Sequence, residues 1–493
     1  MNLRAIIYIL GWILSIEGAL MLAPFLVGLL YQEPEGIAFA IVSVLCLLIG
    51  ILLILKKPRN MIFFEKEGFV TVAFGWMMMS FFGALPFCIN GDIPSFTDAL
   101  FETVSGFTTT GASILAKPEE LSHASLFWRS FTHWIGGMGV LVFLLAITPV
   151  TKGGATIHLM RAESPGPSVE RMLPKLQNTA LILYVTYIVL SLLEFIFLIF
   201  GKMPMFDAVT TVFATAGTGG FAITSAGIGV YSPYVQWVIA VFMMLFGVNF
   251  GMYFLLIFRK WGKAFRFEEV RHYLLIILVA TALIFFNIYS AESGVWETLR
   301  HAFFQVSAII TTTGFSTVDF NLWPALSKTI LVILIFVGAC AGSTGGGIKV
   351  SRISVLFKTV KKELMIAIHP GSVKKIKSEG KMINHEVQRS INVFFVACII
   401  IFVASMLLIS LENYDVVTTF TAVATTLNNV GPGLSVIGPT GNFAFFSPLS
   451  KYVLMFDMLA GRLEIYPMLI IFYYGMWRSS LGPMIKRRMN KRQ

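Results

Sequence analysis

The chain is organised as long apolar runs separated by short polar stretches. Ten such runs lie near residues 3–30, 37–56, 68–90, 125–148, 177–201, 233–259, 270–290, 326–356, 387–411 and 449–477. A helix crosses a bilayer with about 20 mostly apolar residues, and longer runs tilt, so each predicts a span. Four shorter segments, near 95–113, 204–222, 296–316 and 415–434, sit between pairs of runs and are rich in Thr, Gly and Asn. They are too short and polar to cross. Backbone that leaves the helix at membrane depth survives where it is buried in protein or lines water. The pattern predicts four re-entrant segments around a polar path.

These segments are copies of one another. Aligned on a glycine, they read DALFETVSGFTTTGA (98–112), DAVTTVFATAGTGGF (207–221), HAFFQVSAIITTTGF (301–315) and TTFTAVATTLNNVGP (418–432). Each opens with about three turns of helix-compatible sequence and changes to a polar stretch ending at Gly111, Gly220, Gly314 or Gly431. The expected fold is an all-α polytopic membrane protein, with four span–pore helix–span repeats around a pseudo-four-fold pore and two N-terminal spans. The expected divisions are 1–60 for the extra spans, 61–160 for repeat 1, 161–262 for repeat 2 and 263–365 for repeat 3. A basic cytoplasmic linker follows at 366–384, then repeat 4 with a basic tail at 385–493.

Composition supports a membrane class. The chain is 56% hydrophobic and 13% charged, where soluble domains carry about 25% charge. The net charge of +11 has a local origin: 30 of the 37 Lys and Arg residues fall on connections sharing a side with the N-terminus. Basic loops stay cytoplasmic, which places both termini inside and the four re-entrant segments open to the outside. The opposite side carries Asp92, Glu119, Glu120, Glu292, Asp319 and Glu412, a mouth that concentrates cations. The basic charge thus needs no nucleic acid; the stretch 349–389 suits anionic lipid or a cytosolic regulatory partner. Cys46, Cys88, Cys340 and Cys398 lie in apolar runs as small buried residues. No H-E-x-x-H or G-x-S-x-G motif is present, so an enzyme is not expected.

The repeats suit a cation. A filter replaces the hydration shell with backbone carbonyls, and glycine permits the positive φ that aims them at one axis. Thr hydroxyls add oxygens, and helix C-termini directed at the centre favour positive charge. The plain alternative is glycine used for close helix packing; four equivalent copies weigh against it. Below the expected filter, Gly342, Gly345, Gly346 and Gly347 interrupt an apolar run. Each glycine costs a helix about 1 kcal/mol, so a break is expected, either as a gating loop or as a packing kink. A phosphate loop is excluded because Ile348-Lys349 follows instead of Lys-Ser/Thr. Arg462 lies mid-span, where a charge is expensive. It reads as an electrostatic barrier in the pore or as an ion-pair partner of Asp457, Glu464 or an acid on another repeat. Arg129 is expected to pair with Glu102. Asn428 and Asn429 are expected to bond the filter backbone, and Asn249, between Gly247 and Gly251, to mark a kink.

The stretches SGFTTTGAS (105–113), WRSFTHWIGGMG (128–139), TAGTGGF (215–221), TTTGFST (311–317), GACAGSTGGGIKVSR (338–352), LNNVGPGLS (427–435) and AGRLEIYP (460–467) together resemble the Trk/Ktr/HKT superfamily of potassium transporters. The two extra N-terminal spans resemble its TrkH/TrkG branch. The resemblance implies K⁺ uptake across the bacterial cytoplasmic (inner) membrane, with K⁺ as the transported ion and no bound organic cofactor. It implies a filter at Thr109, Thr110, Gly111, Thr218, Gly219, Gly220, Thr312, Thr313, Gly314, Asn429, Val430 and Gly431, holding K⁺. Family members with Ser at the first filter glycine tend to pass Na⁺; Gly111 favours K⁺. The implied gate is Gly342, Gly345, Gly346, Gly347 and Arg462. The implied partners are a second copy in a homodimer, a cytosolic TrkA-like nucleotide-binding ring and membrane lipids. The alternative is a K⁺/H⁺ or Na⁺-coupled symporter. Repeats that all enter from one side favour a pore over the inverted repeats of many coupled transporters.

Overall fold

A computed structural model describes residues 1–55, 57–58, 64–139, 176–290, 294–370 and 375–473. Helices α1 (Leu3–Leu20) and α2 (Leu22–Tyr31) form one apolar crossing that hairpins onto α3 (Gly36–Ile54). Small residues set how closely they approach. A Cβ on Gly50 would lie 2.3 Å from the Ser15 hydroxyl, and one on Gly18 would lie 2.9 Å from Cys46. The hairpin packs against α4 (Glu65–Asn90).

Four similar units follow. The first is α4, α5 (Phe96–Phe107) and α6 (His123–Gly137). The second is α7 (Leu176–Phe200), α8 (Met205–Ala216) and α9 (Pro233–Phe246), continued by α10 (Phe250–Ile257). After the short α11 (Trp261–Ala264), the third is α12 (Glu268–Ile288), α13 (Val295–Ile310) and α14 (Ala325–Val337), then α15 (Val350–Ile368) beyond a loop. The fourth is α16 (His385–Ile409), α17 (Val416–Leu427) and α18 (Pro448–Arg462), then α19 (Tyr466–Phe472). Part of the expected basic linker forms a small hairpin of β1 (Lys377–Ser378) and β2 (Lys381–Met382).

The same local chemistry starts the last helix of three units. Ser122, Ser232 and Ser447 each accept a hydrogen bond from the backbone N–H three residues on, an N-cap. Pro233 and Pro448 then occupy the first helical position, where no N–H is needed. In the third unit Pro324 stands at the cap.

The units close into a ring. Pore helix α8 packs on α6, pore helix α13 on α9, pore helix α17 on α14, and pore helix α5 on α18. Each pore helix therefore lies against the last helix of the preceding unit, and the fourth unit meets the first.

The second span of each unit differs from expectation. Ten crossings were expected, with a break at the glycine cluster of the third repeat and a kink at Asn249 in the second. Among the described residues six helices are long and apolar enough to cross, or seven if the bent pair α9–α10 is one span. The second spans stop after 15, 14, 13 and 15 residues, short of the roughly 20 that crossing takes. The expected kink at Asn249 is a 90° bend. The expected break at the glycine cluster separates α14 from α15. The run 449–477 also breaks, at Leu463–Ile465, where Glu464 and Ile465 have φ of 55° and 71°. A break in the span after the aligned glycine is thus shared by repeats 2, 3 and 4, and is not confined to the third. The remainder of the run 125–148, the basic segment 149–175 and the C-terminal tail lie outside the described residues.

Candidate functional site

Each pore helix ends just before its aligned glycine, and each ends in the same way. One cap residue follows, then a left-handed residue: Thr109 (φ 53°), Thr218 (53°), Thr312 (60°) or Asn429 (56°). Two residues later comes the glycine: Gly111 (75°), Gly220 (76°), Gly314 (79°) or Gly431 (96°). The backbone N–H between the two reaches back to the helix: Thr110 to Ser105 O, Gly219 to Ala214 O, Thr313 to Ala308 O and Val430 to Thr425 O, at 2.8–2.9 Å. This is a Schellman-type closure with threonine where glycine is usual. A β-branched residue at positive φ is a genuine outlier, costing of order 1–3 kcal/mol. The surrounding fold supplies that energy three times.

The glycines show why the strain is tolerated. A Cβ on Gly111 would lie 2.0 Å from Gly219 O, one on Gly220 1.8 Å from Thr313 O, and one on Gly314 2.1 Å from Val430 O. One on Gly431 would lie 2.7 Å from Thr110 O, which closes the circle. Each glycine is pressed against the carbonyl that precedes the next repeat's glycine. Four strands therefore surround one axis, and all four glycines line a single vestibule with Ser113, Phe221, Ser316 and Pro432. Side-chain oxygens join the carbonyls. Thr109 Oγ1 and Asn429 Oδ1, at matching positions, are buried and find no hydrogen-bond partner among the described residues. Backbone carbonyls at the C-terminal ends of four helices make this a place for a cation.

The pore helices of repeats 1, 3 and 4 also reach up to fix the chain beyond the glycine. Glu102 accepts from Ile114 N (3.0 Å) and Ser113 Oγ (2.9 Å). Gln305 donates to Phe315 O at 3.2 Å, and Thr421 Oγ1 accepts from Leu434 N at 3.1 Å. In repeat 1 the tie is ionic. Arg129 pairs with Glu102 at 2.7 Å, as expected, with both side chains buried. Arg129 also donates to Ala222 O at 3.3 Å and lies 4.2 Å over the Phe221 ring, which joins repeat 1 to repeat 2. At the vestibule rim, Glu119 accepts from Ser225 N (2.9 Å) and Ser225 Oγ (2.8 Å). Burial pushes the Glu119 carboxyl up, but hydrogen bonds from its own backbone and from Ser225 outweigh it and hold the group below its ordinary value. The rim keeps a negative charge.

Beneath the ring lies the expected gate. Gly346 N donates to Thr312 Oγ1 at 2.6 Å and Gly347 N to Asn428 O at 3.0 Å. The glycine-rich loop thus touches repeats 3 and 4 where their pore helices end. Gly342 and Gly347 have φ of 69° and 77°, so these two need glycine's freedom. Gly345 and Gly346 need its size: a Cβ on Gly345 would lie 2.8 Å from Thr311 O, and one on Gly346 2.6 Å from Asn428 O. Arg462 reaches the loop from repeat 4. Its guanidinium donates to Thr344 O at 2.8 Å, to Gly137 O at 2.7 Å and to Gly136 O. The residues considered as its ion partners engage elsewhere: Glu464 with Arg352, and Asp457 with Ser405 Oγ at 2.7 Å.

Two expectations about the asparagines need correction. Asn428 Nδ2 bonds Ala424 O in its own pore helix at 2.8 Å, and Asn429 Nδ2 bonds Thr110 Oγ1 and Met458 O at 2.9 Å each. Among the described residues neither side chain bonds the backbone of the expected filter; Asn429 instead ties repeat 4 to repeat 1. Sequence reasoning also passed over His133. It is fully buried against the filter strand of repeat 2, stacked 4.2 Å from Phe221, with its ring where a Cβ on Gly219 would lie. The one available signal was a histidine amid apolar neighbours.

Comparison with known proteins is extensive. A family model described as "TrkH: Cation transport protein" matches residues 35–478. The Trk system potassium uptake protein TrkH of Salmonella typhimurium is 38% identical over 97% of this chain and its whole length. TrkG of Escherichia coli is 32% identical over 97% of this chain and 99% of its own. A crystal structure of the potassium transporter TrkH from Vibrio parahaemolyticus superposes with a TM-score of 0.86 at 33% identity, covering 97% of this chain and 100% of that one.

Proposed function

The chain belongs to the TrkH family of cation transport proteins, and we propose that it takes up K⁺ through one filter assembled from its four repeats. The observation that carries this reading is the ring in which each filter glycine is pressed against the next repeat's carbonyl. The ion-binding residues are Thr109, Thr110 and Gly111, Thr218, Gly219 and Gly220, Thr312, Thr313 and Gly314, and Asn429, Val430 and Gly431. K⁺ enters from the vestibule and exchanges water for their oxygens.

The path below is gated by the loop holding Gly342, Gly345, Gly346 and Gly347, and Arg462 adds a positive barrier. Both support one reading: the loop bonds filter residues, and the guanidinium bridges the loop to repeat 1. The protein sits in the bacterial inner membrane with both termini cytoplasmic, as the distribution of Lys and Arg supports. It works as a homodimer on a cytosolic TrkA-like nucleotide-binding ring. The four units approach the axis alike, which supports a gated pore rather than a symporter.

Purified protein in proteoliposomes tests this. K⁺ flux should exceed Na⁺ flux and persist without an imposed proton gradient. Flux that requires the gradient would replace the pore with symport. No alkali-cation flux, with the cytosolic partner present, would remove both.

A further inference from the structure

The glycine-rich loop is held at both ends by one side chain that the filter does not use. Glu269 sits in the first turn of α12, 6% exposed. Its Oε1 accepts from Ala341 N at 2.6 Å, where the chain enters the loop, and from Ser351 N at 3.2 Å, where it leaves. Its Oε2 accepts from Asn249 Nδ2 at 3.3 Å, in the break of repeat 2. Around it the loop lies on that break: Phe250 N donates to Gly342 O (3.0 Å), Cys340 N to Gly247 O (3.1 Å) and Thr344 Oγ1 to Phe246 O (3.3 Å). The turn that presents Glu269 is itself fixed. Glu379, at the tip of the β1–β2 hairpin, accepts from Glu268 N and Glu269 N at 3.0 Å each. Lys358 bonds Glu268 and Lys377 O.

We infer that Glu269 is a positioning residue: it staples both ends of the glycine-rich loop to the break of repeat 2 and so keeps the loop beneath the filter. A loop with four glycines in six residues has high conformational entropy, and the glycines bring no side chains to restrain it. Its placement depends on backbone hydrogen bonds, and those to a carboxylate are the stronger kind. A single oxygen shared by the entry and exit amides fixes the span between them. The effect on transport rests on the gate reading above; the effect on the loop does not.

Cys340, fully buried beside Ala341 at the entry to the loop, reports the loop directly. The full-length protein in proteoliposomes is treated with methyl methanethiosulfonate, labelling at Cys340 is followed by peptide mass spectrometry, and K⁺ flux is measured in parallel. Glu269→Ala should label at least about tenfold faster, the change that a loss of about 1.4 kcal/mol produces, with flux rising alongside. Glu269→Gln keeps an oxygen for the loop amides and should fall between Ala and Glu, a graded rescue that general misfolding does not give. Unchanged labelling in both variants overturns the staple. Faster labelling with unchanged flux upholds the staple and overturns the gate.

Discussion

At the scale of residues, the ring separates two demands usually confounded in glycine. Gly91 has φ of 84° with open space around its missing Cβ, whereas Gly220 has φ of 76° with Thr313 O at 1.8 Å from that position. Gly91→Ala should cost about 1–2 kcal/mol for the left-handed backbone and leave K⁺ flux intact. Gly220→Ala adds a collision with a filter carbonyl and should abolish selective flux. Thermal unfolding and K⁺/Na⁺ flux of the two variants check this; equal losses of flux would mean that backbone conformation alone matters. The aligned glycines were legible in the sequence. The left-handed threonines two residues earlier were not, because nothing in threonine's own preferences favours φ near 53°. Only the Schellman closure and the neighbouring repeats hold them there. Arg129 was legible because a buried guanidinium requires a carboxylate, and Glu102 was near.

At the scale of elements, the pore helices are short and depend on their ends. Asp415 caps α17 by accepting from Thr418 Oγ1 (2.5 Å) and Thr418 N (2.9 Å). These bonds, the side-chain one first, hold its carboxyl below the ordinary value. A lowered folded value means stability that is present above the unfolded carboxylate range, near about 4, and lost as pH falls through the folded value. Asp415 is exposed, so solvent screens the effect. Asp415→Ala should destabilise by about 0.5–1 kcal/mol at neutral pH, and its unfolding temperature should converge with that of the parent as pH falls below 4. A difference that persists in acid would point to packing. The sequence announced the break in repeat 3 because four glycines cluster there. It understated the break in repeat 4, where Glu464 and Ile465 carry positive φ. A β-branched residue in that conformation follows from tertiary packing, not from local propensity.

At the scale of the whole molecule, the four units are alike at the filter and unlike below it. Repeat 3 supplies a loop, repeat 4 supplies Arg462, and repeats 1 and 2 supply backbone that receives them. Arg462→Ala removes the positive charge and the bridge to Gly136 and Gly137 together. It should raise K⁺ flux, while Arg462→Lys, which keeps the charge with fewer donors, should raise it less. Unchanged flux in folded Arg462→Ala would leave the arginine a structural strut. The four-fold plan was readable from period and spacing. How the units meet was not, since Asn429 to Thr110 and Arg462 to Gly136 join residues far apart in the chain.

The contact of Asn429 with Thr110 bears on how the protein is made. The ring closes where Gly431 meets Thr110 and Asn429 bonds a threonine 319 residues upstream. At ribosomal rates of about 5–20 residues per second, the first filter strand waits on the order of 15–60 s for its last neighbour. Through that interval the nascent chain has three strands of an incomplete circle and no continuous ring of oxygens. A ribosome that stalls before repeat 4 therefore leaves a chain that lacks one quarter of the ring and its closing contact.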